Sequence, residues 1–242
     1  LISVRQESNF RHPAADPSGP PRGAVLAIHE IWGLHAHIRD VADRFASAGY
    51  VAVAPDLMGL AGLDATLLAE LGARLADPAE KSDIQPQIRA ALQPMNAPER
   101  AARIRTGVAA AFEQLQSSAE GAGRTAVVGY CFGGTYAFSL AVEEPRLAAA
   151  VPFYGHASYS VAELAAIACP VLAFYGADDS ALVNALPELA ARMKEAGVDF
   201  RNTIFEGAGH AFFNDTNPSM HRPEAAQAAW TATLEFLGQH LA

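Results

Sequence analysis

Cys131 is the side chain with the most chemical capacity in this chain, because of the glycines around it. Gly129-Tyr130-Cys131-Phe132-Gly133-Gly134 follows the apolar run Ala126-Val127-Val128 and precedes Thr135-Tyr136-Ala137-Phe138-Ser139-Leu140. That order reads as strand, sharp turn, helix. Gly-x-nucleophile-x-Gly is the pattern of a nucleophile elbow, whose flanking glycines are needed because the turn leaves no room for side chains. Such a turn lifts the sulfur to the carboxyl edge of a sheet, aims the positive end of the next helix at it and frees the Phe132 amide to bind an oxyanion. A helix amino terminus favours thiolate, so the setting predicts a thiol pKa below the ordinary value of about 8.5. The alternative is a core cysteine packed beside a glycine-rich turn.

A thiol that transfers acyl groups needs a base and a group to orient the base. Gly176-Ala177-Asp178-Asp179 and Gly207-Ala208-Gly209-His210-Ala211-Phe212 each follow an apolar run downstream of the elbow. Nucleophile, acid, histidine is the chain order of the α/β-hydrolase fold. The glycine-bracketed loop allows His210 to reach across the sheet edge as base and then acid. Of the two aspartates, Asp179 is preferred as the orienting carboxylate because Gly-x-x-Asp spacing returns the side chain over the strand end, and Asp178 is read as a turn cap. A second oxyanion amide is expected from Ile31, in preference to Trp32. Glu30, in the same loop, is expected to hold the thiol neutral or accept its proton; the alternative is a helix-entry carboxylate facing water.

These residues need strand ends to carry them. Ala24 to Ile28 is continuously apolar, as a strand buried on both faces should be. Ile38, Val41, Ala42 and Phe45 then recur at helical spacing until Gly49. Val51 to Pro55 is a further strand, and a helix bearing Leu67, Leu68, Leu71 and Leu75 starts with Asp64 as its cap. Asp77 to Pro98 is less periodic and rich in proline, and reads as a surface or lid segment. A helix from about Pro98 leads to the elbow strand; Ala148 to Tyr154, Val171 to Tyr175 and Phe200 to Phe205 read as strands. Helices carrying Leu186, Leu189 and Met193, and then Trp230, Leu234 and Leu237, complete the alternation. Leu1 to Phe10 could add an edge strand, and Arg11 to Arg22 reads as a turn. Strands alternating with helices predict an α/β-hydrolase fold, a mostly parallel sheet with helices on both faces, spanning 1–242 as a single domain.

Composition narrows the partners. The chain is 51% hydrophobic with a formal charge of −9 and no cluster of lysine and arginine, which argues against nucleic acid and anionic membrane surfaces. No apolar run approaches the roughly 20 residues of a membrane-spanning helix. The cysteines are Cys131 and Cys169; a disulfide would silence a working thiol, so a reducing, cytoplasmic setting is expected. Neither the cysteines nor the histidines have metal-ligand spacing, and no metal or cofactor is expected.

With these residues in view, the chain resembles the dienelactone hydrolase (carboxymethylenebutenolidase) family. The resemblance rests on His29-Glu30-Ile31-Trp32-Gly33, Pro55-Asp56-Leu57, the Cys131 elbow, Tyr154-Gly155, Gly176-Ala177-Asp178-Asp179 and Gly209-His210-Ala211-Phe212. It implies a Cys131, Asp179, His210 triad that opens an enol-lactone by acyl transfer to sulfur and then to water. It also implies that Glu30 pairs with the resting thiol and yields it to His210 when substrate arrives, which would protect the thiolate from oxidation. One departure stands out. Well-known lactonases of this family hold the substrate carboxylate with arginines, one shortly after the catalytic histidine, whereas here that stretch reads Phe212-Phe213-Asn214-Asp215. Asparagine lacks the charged bidentate fork; Lys81, Arg74 or Arg89 could replace it, with a place on the solvated surface as the alternative for each. Trp32, Tyr130, Tyr154 and Phe212 are candidate pocket walls, with aromatic core as the alternative.

The expected partner is a small-molecule lactone or ester, and the chain is expected to work as a monomer or small homo-oligomer. A general carboxylesterase or thioesterase would use the same residues with a different acyl pocket. A thiol redox sensor would not need an acyl-transfer base such as His210, and would want a resolving cysteine nearby.

Overall fold

A computed structural model describes residues 20–75 and 80–241. The possible edge strand over Leu1 to Phe10 lies outside the described residues. Among the described residues six strands form the sheet: β1 (Ala24–Ile28), β2 (Val51–Val53), β3 (Thr125–Tyr130), β4 (Ala149–Phe153), β5 (Val171–Gly176) and β6 (Phe200–Phe205). All pairings are parallel and the order across the sheet is β2-β1-β3-β4-β5-β6. Every residue of β1, β3 and β4 is buried, which is why these strands read as unbroken apolar runs. At the far edge β6 is largely exposed along its length, with Arg201 reaching back to Asp199.

The helices are α1 (Ala36–Ser47), α2 (Leu57–Leu60), α3 (Ala65–Leu75), α4 (Lys81–Leu92), α5 (Pro98–Gln116), α6 (Phe132–Glu143), α7 (Val161–Leu164), α8 (Ser180–Glu195) and α9 (Pro223–His240). Phe45 of α1 packs against Trp230 of α9 at 4.7 Å between ring centroids, while α5 and α6 pack together over β1 and β3. As expected, Asp64 caps α3, its carboxylate accepting from the Leu67 amide at 3.0 Å.

The segment over Asp77 to Pro98, read from the sequence as surface or lid, carries more helix than its weak periodicity suggests. Most of its described part is α4, followed by a short 3-10 turn over Gln93–Asn96. Pro86 lies inside α4 and masked the helical pattern. The helix is held by burying Ile84 and Ile88 against Leu71 of α3, with Trp32 packed on the same cluster.

Strand order turns around between β1 and β3, since the chain leaves β1 towards β2 and returns to β3 on the other side. Ligand sites of open α/β sheets lie at such a switch point, beyond the carboxyl ends of the strands. The β1–β3 register pairs Ile28 with Gly129. Continued by two residues, it sets Glu30 level with Cys131.

Candidate active site

Cys131 occupies the joint between β3 and α6 with φ 56° and ψ −112°. The glycines around it are required by contact. A Cβ on Gly129 would lie 2.0 Å from the Gly133 carbonyl oxygen, and one on Gly133 would lie 2.2 Å from that of Ile28. The Cys131 amide donates to the Phe153 carbonyl at 3.0 Å, tying the elbow to β4. The backbone N–H groups of Phe132 and Ile31 lie near enough to the Cys131 sulfur to favour its thiolate form. Two amides from different strand ends thus converge on one atom.

Among the described residues, Cys131, Tyr154 and Ala211 are the non-glycine positions with positive φ. Each carries a strain of about 1–3 kcal/mol that the surrounding structure must impose. They follow β3, β4 and His210 respectively, so the strain gathers around one place.

His210 Nδ1 and Asp179 Oδ2 are 2.5 Å apart. Asp179 stands at the N-cap of α8, where its carboxylate would ordinarily accept from a helix amide; it makes no such bond. Asp178 instead links the two loops through its backbone, donating to the Ala208 carbonyl at 2.9 Å. The Tyr154 ring packs on the His210 imidazole at 5.1 Å, and its hydroxyl end lies within electrostatic reach of both Glu30 and Cys131.

Glu30 is buried, which excludes the reading of a solvated helix-entry carboxylate. Asn214 Nδ2 donates to Glu30 Oε2 at 2.6 Å, while the Thr216 amide and hydroxyl donate to Asn214 Oδ1 at 3.1 and 2.7 Å. The Thr216 bonds settle which end of the Asn214 amide faces Glu30. Burial pushes the Glu30 carboxyl up to about 7, against the Asn214 bond, which favours the ionised form. The Tyr154 hydroxyl is near enough to act in the same direction as Asn214, although neither it nor Glu30 Oε1 completes a hydrogen bond.

The thiol departs from expectation. Burial, and then the negative charge of Glu30, push Cys131 up to about 12, outweighing the Phe132 and Ile31 amides. A helix terminus stabilises a thiolate only to the extent that nothing nearby desolvates or repels it.

Sequence reasoning also missed several supports. His29 bridges two loops, Nε2 accepting from the Leu57 amide at 3.0 Å and Nδ1 facing the Glu30 carbonyl at 2.6 Å. Burial lowers it to about 4, so it works as a neutral brace. His37, also buried, has Nδ1 3.2 Å from Asp215 Oδ1, and Arg44 pairs with the same carboxylate. Asn214 and Asp215 together therefore clamp one loop to Glu30 on one side and to α1 on the other. The available signal was a polar pair directly after Phe212-Phe213, which first reads as a missing arginine.

Of the candidate pocket walls, Tyr130, Tyr154 and Phe212 are wholly buried in an aromatic cluster with Phe153. They are closed off from solvent, in keeping with the aromatic-core alternative for these three residues. Trp32 is half-buried and lines a cavity of about 230 Å³ shared with His35, Asn214, Thr216 and Asn217. Arg74 is committed to Glu80 at 2.5 Å, and Arg89 is exposed on α4. The Lys81 side chain lies outside the described atoms.

A parallel α/β sheet with an elbow at its switch point and a histidine–aspartate pair at neighbouring strand ends defines the α/β-hydrolase class. Within it, the family model for the dienelactone hydrolase family matches residues 10–241. The chain belongs to that family, and with it to the enzymes that hydrolyse carboxylic esters and lactones. It is 30% identical over 233 residues to a protein of Saccharolobus solfataricus provisionally named carboxymethylenebutenolidase, covering 90% of this chain and 89% of that one. It is 31% identical over 232 residues to a Bradyrhizobium protein provisionally named as a 2-oxo-3-(5-oxofuran-2-ylidene)propanoate lactonase, covering 90% and 84% of the two chains. A crystal structure from Klebsiella pneumoniae, provisionally titled a dienelactone hydrolase, superposes with a TM-score of 0.74 at 26% identity, covering 93% of this chain and 90% of that one. No helix of the described residues is long and apolar enough to cross a membrane.

Proposed function

We propose that the protein is a cysteine hydrolase that opens a lactone or activated ester through an acyl-thioester on Cys131. The observation that carries this reading is the convergence of the Ile31 and Phe132 amides on the sulfur, at a sheet edge that also holds His210 against Asp179. Glu30 keeps the resting thiol protonated, because two negative charges so close cannot both form without large cost. With substrate bound, His210 takes the thiol proton and the sulfur attacks the acyl carbon. The carbonyl oxygen becomes an oxyanion held by the two amides that greeted the sulfur at rest. The carbon–oxygen bond of the ring then breaks, and His210 returns its proton to the leaving oxygen. Water, deprotonated by His210, attacks the thioester; the carboxylic acid departs and the thiol regains its proton. Asp179 holds the imidazole in the tautomer with Nδ1 protonated and offsets the charge it gains.

The test is hydrolysis of para-nitrophenyl acetate and of an enol-lactone by wild type and Cys131→Ala, with quenched-flow mass spectrometry for an acyl adduct. Turnover lost in the variant, with an adduct on Cys131 in the wild type, is expected. Turnover that survives the substitution would sink the reading.

A further inference from the structure

The cavity behind Trp32 combines apolar and polar lining and, among the described residues, holds no lysine or arginine. Its polar lining comes from His35, Asn214, Thr216 and Asn217, and its floor from the small α3 residues Ala69, Gly72 and Ala73. At about 230 Å³ it has room for roughly eight water molecules by volume, enough for a lactone ring with a short substituent. It adjoins the reacting centre twice. Trp32 directly follows Ile31, whose amide lies near the Cys131 sulfur, and Asn214 contacts Glu30. Trp32 is held against α3 because residue 72 is glycine: a Cβ there would lie 2.9 Å from the indole.

The charges around this cavity have the wrong sign for an anion. Glu30 lies 2.6 Å from the Asn214 amide, and His35 Nε2 is 3.9 Å from the same Glu30 oxygen. Burial lowers His35, so it is neutral where Glu30 is ionised. Of the guanidiniums on the neighbouring helices, Arg74 beside Ala73 is paired with Glu80, Arg44 of α1 is occupied by Asp215 and Asp40, and Arg39 of α1 is exposed and does not line the cavity. A substituent carboxylate entering here would lose its water and meet no lysine or arginine among the described lining residues, whereas a neutral carbonyl, ether or hydroxyl could hydrogen-bond to the amide and hydroxyl groups.

We propose that this cavity selects lactones whose ring substituent is uncharged, so that the preferred substrate is a neutral enol-lactone and not its carboxylated counterpart. The inference rests on the proposed thiol chemistry.

The test compares kcat/KM for γ-methylene butenolide and for the same ring bearing a carboxylate on the exocyclic carbon, with para-nitrophenyl acetate in parallel and Cys131→Ala as background. The neutral lactone is expected to exceed the carboxylated one by about tenfold or more, the scale of an unmatched buried charge. Ala73→Lys, an exposed helical position on the cavity wall, should move that ratio towards the carboxylated lactone. Equal or better turnover of the carboxylated lactone by the wild type overturns the inference while Cys131-dependent ester hydrolysis leaves the chemistry standing. Turnover of the aryl ester alone also overturns it, the cavity then not admitting the ring. Loss of Cys131 dependence for all three would remove the chemistry and the inference with it.

Discussion

Asn214 donates its side-chain amide to Glu30 across 2.6 Å, joining a loop beyond β6 to the loop after β1 directly beside the nucleophile. The bond favours the carboxylate over the carboxylic acid, opposing the burial that lifts Glu30 to about 7. Asn214→Leu should therefore push Glu30 higher. A hydrogen bond to a charged group is worth about 1.5–3 kcal/mol, so the inflection attributed to Glu30 should rise by about one to two pH units. The pH profile of Cys131 alkylation reads it directly; an unmoved inflection would show that Asn214 does not tune Glu30.

The same carboxylate holds the thiol up. Glu30→Gln deletes the charge that helps push Cys131 to about 12, so its alkylation by iodoacetamide at pH 8 should accelerate by about tenfold for each unit the thiol falls. The variant should also lose activity to peroxide sooner. An unchanged alkylation rate would take Glu30 out of the control of the sulfur.

Stability should carry the same signature with a definite sign. Between pH 4.5 and about 7, folded Glu30 keeps a proton that the unfolded chain has released, so its contribution falls as pH rises. His29 and His37, both lowered to about 4 by burial, are neutral when folded and charged when unfolded up to pH 6.5, so theirs rises. Glu30→Gln leaves only the histidine trend. It should match wild type near pH 4.5 and exceed it at pH 8 by about 3 kcal/mol, measured by urea unfolding. A variant no more stable at pH 8 would contradict a strained Glu30.

The two aspartates should separate cleanly. Only Asp179 meets His210, at 2.5 Å. Asp179→Asn should lower kcat by about a thousandfold or more with KM little changed, and Asp178→Asn should change it by less than about tenfold. A larger loss at Asp178 would reverse the assignment of the orienting acid.

Much of this arrangement is legible in the sequence because strand ends and glycines announce it. Apolar runs in β1, β3 and β4 mark strands buried on both faces, and the glycines at 129, 133 and 134 mark contacts that no side chain could survive. What sequence conceals is whatever depends on distance in space. Asn214 and Glu30 are 184 residues apart in the chain, and no local pattern brings them together. The thiol was misjudged for a related reason: the helix terminus beside Cys131 is visible in order, whereas the desolvation that overrules it comes from the fold as a whole. Pro86 misled in the opposite direction, a helix breaker tolerated because Ile84 and Ile88 find a hydrophobic partner in α3.

The left-handed backbone at Cys131, Tyr154 and Ala211 ties heat resistance to turnover. Glycine would relax each position, yet the first would lose the sulfur and the second the ring that packs on His210. Ala211 offers no such side chain, and it is the place where the molecule could become tougher without giving up a reacting group. A laboratory lineage selected for survival on heating alone would gain by glycine at Cys131 and Ala211 but not at Tyr154, whose buried ring contributes more packing than the relaxed backbone would return. It would keep its chemistry only at Ala211, so selection for endurance would have to be coupled to selection for catalysis from the first round.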